Sequence, residues 1–246
     1  MEPFFYELDV QVDNTDADFR SLLKPAALLR YVESVSTAHA RAFGMTNEFL
    51  REQGAAFFIG KQALQYFRVP RSVEKLHLVT RTESIYHGTI KRITTVTDAA
   101  GEVAALVDSR WIIADLSTGH LRREPGWVVE GFWNDKVEGE LPLRMHKTKE
   151  LTPAGEWRAN YSQCDLNGHI NNTVYLDIAC DVLPLEVVKN APVRFAAVNY
   201  HREVPMGQRM QLFYAPSAQG WYVVGKREEH TAFECYLEFG EPDGKN

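Results

Sequence analysis

A chain of 246 residues with 45% hydrophobic and 24% charged side chains has the mix of a globular protein that buries a full core, as one large domain or two of about 120 residues. Its net charge of -6 gives no dominant Lys/Arg footprint for nucleic acid. No run of about 18 apolar residues offers a membrane span, and Cys164, Cys180 and Cys235 are too few and too scattered for a disulfide framework or a four-ligand zinc site.

The chain opens on Met1-Glu2-Pro3-Phe4-Phe5-Tyr6-Glu7, with no basic n-region and no sustained apolar stretch, so no signal peptide is expected and a cytoplasmic, reducing setting is. Tyr6, Leu8, Val10 and Val12 alternate as in a half-buried strand. Asp13 to Asp18 is polar turn material. A helix follows from Pro25, which suits a first turn, with Leu28, Val32, Val35, His39 and Ala42 at three- and four-residue steps and Gly44 as its stop. Thr46 is placed to cap a second helix through Leu50, closed by Gly54.

From there the period is two. Phe58 to Val69, Leu76 to Tyr86, Thr89 to Thr97 and Glu102 to Leu116 read as strands, with turns at Asp98-Ala99-Ala100-Gly101 and Ser117-Thr118-Gly119. Residues 125–150 hold two Trp and little periodicity, and read as a connection packed along the surface. Small basic clusters at Lys91-Arg92, Arg122-Arg123 and Arg144 to Lys149 read as solvated strand or loop faces.

The second half repeats the order in shorter form. Trp157 to Tyr161 is a strand, Asn172 to about Leu183 a helix with Val174, Ile178 and Val182 on one face, and strands follow at Val193 to Arg202, Gln208 to Tyr214, Trp221 to Lys226 and Ala232 to Phe239. Gln65-Tyr66-Phe67-Arg68-Val69-Pro70 matches Asn199-Tyr200-His201-Arg202-Glu203-Val204-Pro205 if one residue is inserted. A strand, one long helix and four antiparallel strands pack best with the helix across a curved sheet. Two such units continuing one sheet give an α+β architecture, the double hot dog, with units 1–124 and 151–246 joined by 125–150.

Polar residues crowd into Cys164-Asp165-Leu166-Asn167-Gly168-His169-Ile170-Asn171-Asn172-Thr173-Val174-Tyr175. Asn167-Gly168 suits a hairpin turn, but no alternating flanks surround it and a helical stripe follows, so a loop entering a helix is expected. In an extended segment Asp165, Asn167 and His169 would share one face. Asp165 can then orient the His169 imidazole, Asn167 can donate to a carbonyl oxygen or place a water, and the helix start adds free N–H groups where negative charge develops. Cys164, Asp165 and His169 lack a second ligand pair with metal spacing, so neither metal nor cofactor is expected.

Asp165-x-Asn167-x-His169-Ile170-Asn171-Asn172-x-x-Tyr175 resembles the signature of the acyl-acyl-carrier-protein thioesterases of plant plastids and bacteria. In that family a glutamate follows in a Tyr-x-Arg-Glu-Cys context, and Tyr200-His201-Arg202-Glu203 lies 34 residues beyond His169. The resemblance implies a double hot dog hydrolase with its chemistry in the C-terminal half: Asp165, Asn167, His169 and Glu203 catalytic, and Asn171, Asn172 and Tyr175 near the substrate. Its implied partner is an acidic carrier protein bearing a fatty acyl chain, docked on a locally basic surface such as one of the three clusters. Val204 stands where plant members have Cys, which excludes that nucleophile, and the missing transit peptide points to a bacterial-type relative. The N-terminal half reads Asp16-Ala17-Asp18-Phe19-Arg20 at the matching place, without Asn or His, and is expected to shape the acyl pocket, with Phe57, Phe58, Tyr66 and Trp111 as candidate walls. The rivals are a hot dog hydrolase of acyl-coenzyme A, a hydratase, and a non-catalytic acyl-thioester sensor, which would need an effector module and would have no need of the four polar residues. Monomer and homodimer stay open.

Overall fold

The computed structural model describes residues 4–127 and 129–241. The first three residues of the N-terminal stretch weighed above as a leader, and residue 128 of the connection, lie outside it. In chain order the elements are β1 (Tyr6–Gln11), α1 (Pro25–Ala42), α2 (Asn47–Glu52), β2 (Ala55–Tyr66), β3 (Lys75–Thr82), β4 (Thr89–Asp98), β5 (Val103–Asp115) and β6 (Leu121–Arg122). The second half adds β7 (Thr152–Arg158), α3 (Val174–Asp181), α4 (Leu185–Asn190), β8 (Val193–Tyr200), β9 (Arg209–Ser217), β10 (Gly220–Arg227) and β11 (His230–Phe239).

One sheet runs β1-β3-β4-β5-β2-β8-β11-β10-β9-β7, with β6 on β5. Counted outward from the β2·β8 seam, each half has the same order, so the two units face each other about the seam as two copies of one plan. Ala63 faces Ala197 at its centre, flanked by Gln62↔Val198 and Leu64↔Ala196. This is the expected α+β double hot dog layout.

Strand alternation divides the sheet into two faces. Leu64, Tyr66, Leu78, Val96, Val107, Ala196, Val198, Cys235 and Leu237 point to the helices and pack with Leu28, Val32, Val35, Leu176 and Ile178 in one core. Ala63, Phe195, Ala197 and Tyr236 point the other way and are covered by Leu141, Leu143 and Met145 of the connection. The connection therefore closes the sheet's outer face, as its bulky residues suggested.

Helix α1 starts at Pro25 as expected, and Thr46 caps α2 by accepting from Phe49 N at 3.2 Å. Helix α3 is shorter than the expected span. Asn171 Oδ1 takes the Thr173 N–H and hydroxyl (2.8 and 2.6 Å), Val174 N donates to Asn171 O, and the regular helix begins only at Val174. Pro184 separates it from α4, which the sequence reading missed.

The outer face of the C-terminal half also carries a buried charge. Glu234, 3% exposed, accepts from Lys147 Nζ of the connection (2.7 Å), from His201 Nε2 (2.8 Å) and from the Tyr222 hydroxyl. Removal from water alone would raise this carboxyl; the hydrogen bonds from Lys147, Tyr222 and His201 outweigh it and hold the group at about 2, against an ordinary 4.5. The bonds thus contribute their full stability above about pH 4.5, and it is lost as the pH falls toward 2. Thermal melts at stepped acid pH are expected to show a flatter decline across that window in Glu234→Gln than in the parent. Parallel acid limbs would refute the assignment.

Candidate active site

The polar loop is built by local backbone geometry. Asp165 N donates to His169 O (2.9 Å) and Gly168 N to Asp165 O (3.0 Å), while Gly168 takes φ +80°. Cys164 and Ile170 bridge across the base of this turn, and His169 bridges Pro205. The segment is therefore a tight reversal, and the extended strip expected from residue alternation does not form. Its flanks amount to one bridged pair, too short to show the alternation by which a hairpin is recognised. Reversal returns His169 to the side of Asp165, and the Pro205 bridge lays Glu203 beside it.

His169 Nε2 lies 3.3 Å from Glu203 Oε1, within reach of a hydrogen bond. Its Nδ1 is 3.7 Å from Asp165 Oδ1, outside that range. Asp165 instead accepts from the Asn167 backbone N–H at 2.8 Å and meets Asn167 Nδ2 at 3.4 Å. So the expected Asp165–His169 hydrogen bond gives way to a turn-forming bond to Asn167. Glu203 sits in the loop beyond β8, which ends at Tyr200, two residues short of the expected Arg202. Its side chain is 54% exposed, and its carbonyl accepts from Arg227 Nη1 at 3.3 Å. Arg209 pairs with Glu156 and not with Glu203.

The N-terminal half contains the same turn. Asp18 N donates to Leu22 O, Ser21 N to Asp18 O, Ser72 N to Ser21 O and Leu23 N to Pro70 O. In the C-terminal half the matching bonds run from Asp165 N to His169 O, Gly168 N to Asp165 O, Met206 N to Gly168 O and Ile170 N to Val204 O. Residues 18–22 thus correspond one for one to 165–169, and 69–72 to 203–206. Two sequence matches are corrected by this: the counterpart of the polar loop starts at Asp18, not Asp16, and Pro70 corresponds to Val204 with no inserted residue. Asp18 Oδ1 caps Arg20 N (2.8 Å) as Asp165 Oδ1 caps Asn167 N. The aspartate is common to both turns, so its shared work is to make the turn. Asn167, His169 and Glu203 are replaced by Arg20, Leu22 and Val69.

An open cleft of about 1480 Å³ borders the site, walled by Asp165 and Leu166 on one side and by Glu33, Thr37 and Ala38 of α1 on the other. Asn171 lines it, and its Nδ2 reaches Glu33 Oε2 at 3.3 Å. This link between halves escaped the sequence reading, because Glu33 carries no signal beyond lying on the outer side of α1. Asn172 contributes its carbonyl to the Tyr200 hydroxyl at 3.1 Å. Tyr175, expected at the substrate, is 3% exposed, packs on Phe233 at 4.6 Å, and belongs to the core. The candidate wall residues also fall elsewhere: Tyr66 is in the core with its hydroxyl on Leu23 O, Phe57 and Trp111 join a separate cluster around Ile113, and Phe58 is exposed.

The basic clusters are not simply solvated faces. Lys91 is buried between Glu83 (2.6 Å) and Glu140 (2.9 Å), Arg92 is buried against His39 and Thr80, Arg122 is held by Asp115 and the Gly54 carbonyl, and Lys147 is on Glu234. Among the described residues no group of three or more His, Cys, Asp or Glu has a metal-holding arrangement, and no helix is long and apolar enough to cross a membrane.

Residues 4–131 match the acyl-ACP thioesterase N-terminal domain and residues 146–245 the acyl-ACP thioesterase C-terminal domain. The fold is shared with an acyl-ACP thioesterase from Bacteroides thetaiotaomicron VPI-5482 (21% identity, TM-score 0.86, covering 96% of this chain and 98% of that one). It is also shared with a 12:0-ACP thioesterase from Umbellularia californica (11% identity, TM-score 0.78, covering 98% and 99%). No curated protein matches the chain in sequence.

Proposed function

Since the chain belongs to the acyl-ACP thioesterase family, and so hydrolyses the thioester of a fatty acyl-acyl carrier protein, we propose that Asn167, His169 and Glu203 perform this hydrolysis on the turn that Asp165 shapes. One observation carries the assignment. The same turn is built twice in the molecule, and only the second copy brings an imidazole and a carboxylate to 3.3 Å.

A thioester leaves as a thiolate with an ordinary pKa of about 8.5, so little help is needed at sulfur. The demanding steps are activating water and holding the oxyanion. Glu203, exposed and paired with no Lys or Arg side chain among the described residues, takes the proton from water. His169, in contact with Glu203, aligns that water and can pass a proton to the departing sulfur. The Asn167 amide donates to the carbonyl oxygen. Asn171 takes up the Thr173 N–H just ahead of α3, and the oxyanion is assigned to Asn167, which stands on the same turn as His169. The N-terminal unit (1–124), joined through 125–150 to the catalytic unit (151–246), shapes the acyl side of the site across the cleft.

Release of free fatty acid from a chain-length ladder of acyl-carrier and acyl-coenzyme A substrates tests the reading. Carrier-linked turnover supports it; turnover confined to coenzyme A would move the protein to another hydrolase class, and none on either would remove the activity. The carrier is acidic, and Arg202 and Arg227 flank Glu203 without a carboxylate partner among the described residues. Arg202→Glu is therefore expected to raise KM for acyl-carrier substrate about tenfold at low salt while sparing acyl-coenzyme A. An equal change on both substrates would place the dock elsewhere.

A further inference from the structure

The two halves act as internal controls for each other on the outer face of the sheet. His201 N and Arg202 N both donate to Ala232 O, as Phe67 N and Arg68 N do to Ala104 O. Glu234 faces Asn199 as Leu106 faces Gln65, and Tyr222 faces Tyr236 as Ile93 faces Asp108. His201, Tyr222 and Glu234 thus occupy the places of Phe67, Ile93 and Leu106. The connection crosses both patches. At Gly139 it lies so close over the apolar one that an added Cβ would stand 3.2 Å from Ile93 and 3.3 Å from Leu106. Further on, Lys147 reaches Glu234 at 2.7 Å.

An apolar solution for this patch therefore exists in the same molecule, and a buried carboxylate is a demanding alternative. The N-terminal face also buries a carboxylate, Asp108, held by Arg110 and the Leu141 amide, but at the three matched places a carboxylate stands only in the half with the chemistry, and one of its partners is two residues from Glu203. The backbone here is held at several points: His201 and Arg202 amides on Ala232 O, the Glu203 carbonyl on Arg227, and the Val204 carbonyl on Ile170 N. The His201 ring, tied to Glu234 at 2.8 Å, fixes the segment from its outer side. We infer that Glu234 and His201 are positioning residues for Glu203: Glu234, braced by Lys147 and Tyr222, holds the His201 ring and thereby sets the loop that aims the Glu203 carboxylate at His169. The inference rests on the assignment of Glu203 made above.

The test is steady-state hydrolysis of acyl-carrier substrate by His201→Phe/Glu234→Leu, which installs the pair already accommodated in the N-terminal half. It is measured in the parent and in Glu203→Gln. With positioning, the double variant unfolds cooperatively and loses on the order of 10- to 100-fold in kcat, with KM within about threefold. It loses nothing further in Glu203→Gln, because the aimed group is already disabled. Glu234→Gln, which keeps an acceptor for His201, recovers most of kcat. If the double variant does not fold, His201→Phe alone is expected to show the same kcat loss and the same absence of effect in Glu203→Gln. A kcat within about twofold of the parent, or an equal further loss in Glu203→Gln, would overturn the inference. Failure of the functional reading is seen separately, as lack of turnover by the unsubstituted protein.

Discussion

Glu203→Gln is expected to lower kcat for acyl-carrier hydrolysis by roughly 10²- to 10⁴-fold, the range for loss of a general base, with the melting temperature unchanged. The amide keeps the shape of the side chain and can still meet His169 Nε2 across the present 3.3 Å, so binding and geometry are retained and only proton acceptance is removed. The stability expectation follows from exposure: the side chain is 54% accessible and the loop is held by backbone bonds. Release of free fatty acid beside a thermal melt gives both quantities. A variant keeping half the parent's rate would take Glu203 out of the reaction.

His169→Leu is expected to cost a comparable factor, roughly 10²- to 10⁴-fold in kcat. Leucine is the informative replacement because Leu22 occupies the same place in the N-terminal turn, which closes with the same backbone bonds. The turn should therefore form with leucine in the second half as well, and a loss of rate reports chemistry. Residues that act as one unit are not additive when removed together. His169→Leu/Glu203→Val, which makes the second site identical to the first at two positions, should be no slower than the worse single variant. Multiplying losses would mean that the two side chains act on separate steps.

Much of this was legible in the sequence. Strand alternation in Tyr6, Leu8 and Val10, the Pro25 start of α1 and the Thr46 cap of α2 are local signals, and local chemistry decided them. Duplication of the strand-helix-strands order was enough to infer the paired units, because each unit alone leaves a sheet edge that its twin can continue. The cluster Asp165, Asn167 and His169 stood out because polar residues crowd there directly ahead of a helical stripe. The geometry differs from the expected one: a closed turn, not an extended strip, gathers the side chains, and its bridges to Ile170 and Pro205 are invisible to local periodicity. Lys91 looked solvated because charge in a sequence gives no indication of a counterpart brought in by the fold, such as Glu83, and Arg92 because nothing local shows its place against His39. Tyr175 looked functional by motif and is core by packing. His201 and Glu234 lie 33 residues apart, and only the paired strands bring them together.

The most direct test of the account is a single turnover of acyl-carrier substrate by the unsubstituted protein in oxygen-18 water, followed by mass analysis of the fatty acid and of the peptide containing Glu203. With Glu203 as general base, the released acid carries the heavy oxygen and the Glu203 peptide stays unlabelled. Heavy oxygen in the Glu203 carboxylate would show that it attacked the thioester carbonyl and formed an anhydride, contradicting the water-activating role, and no released acid would contradict the site assignment itself.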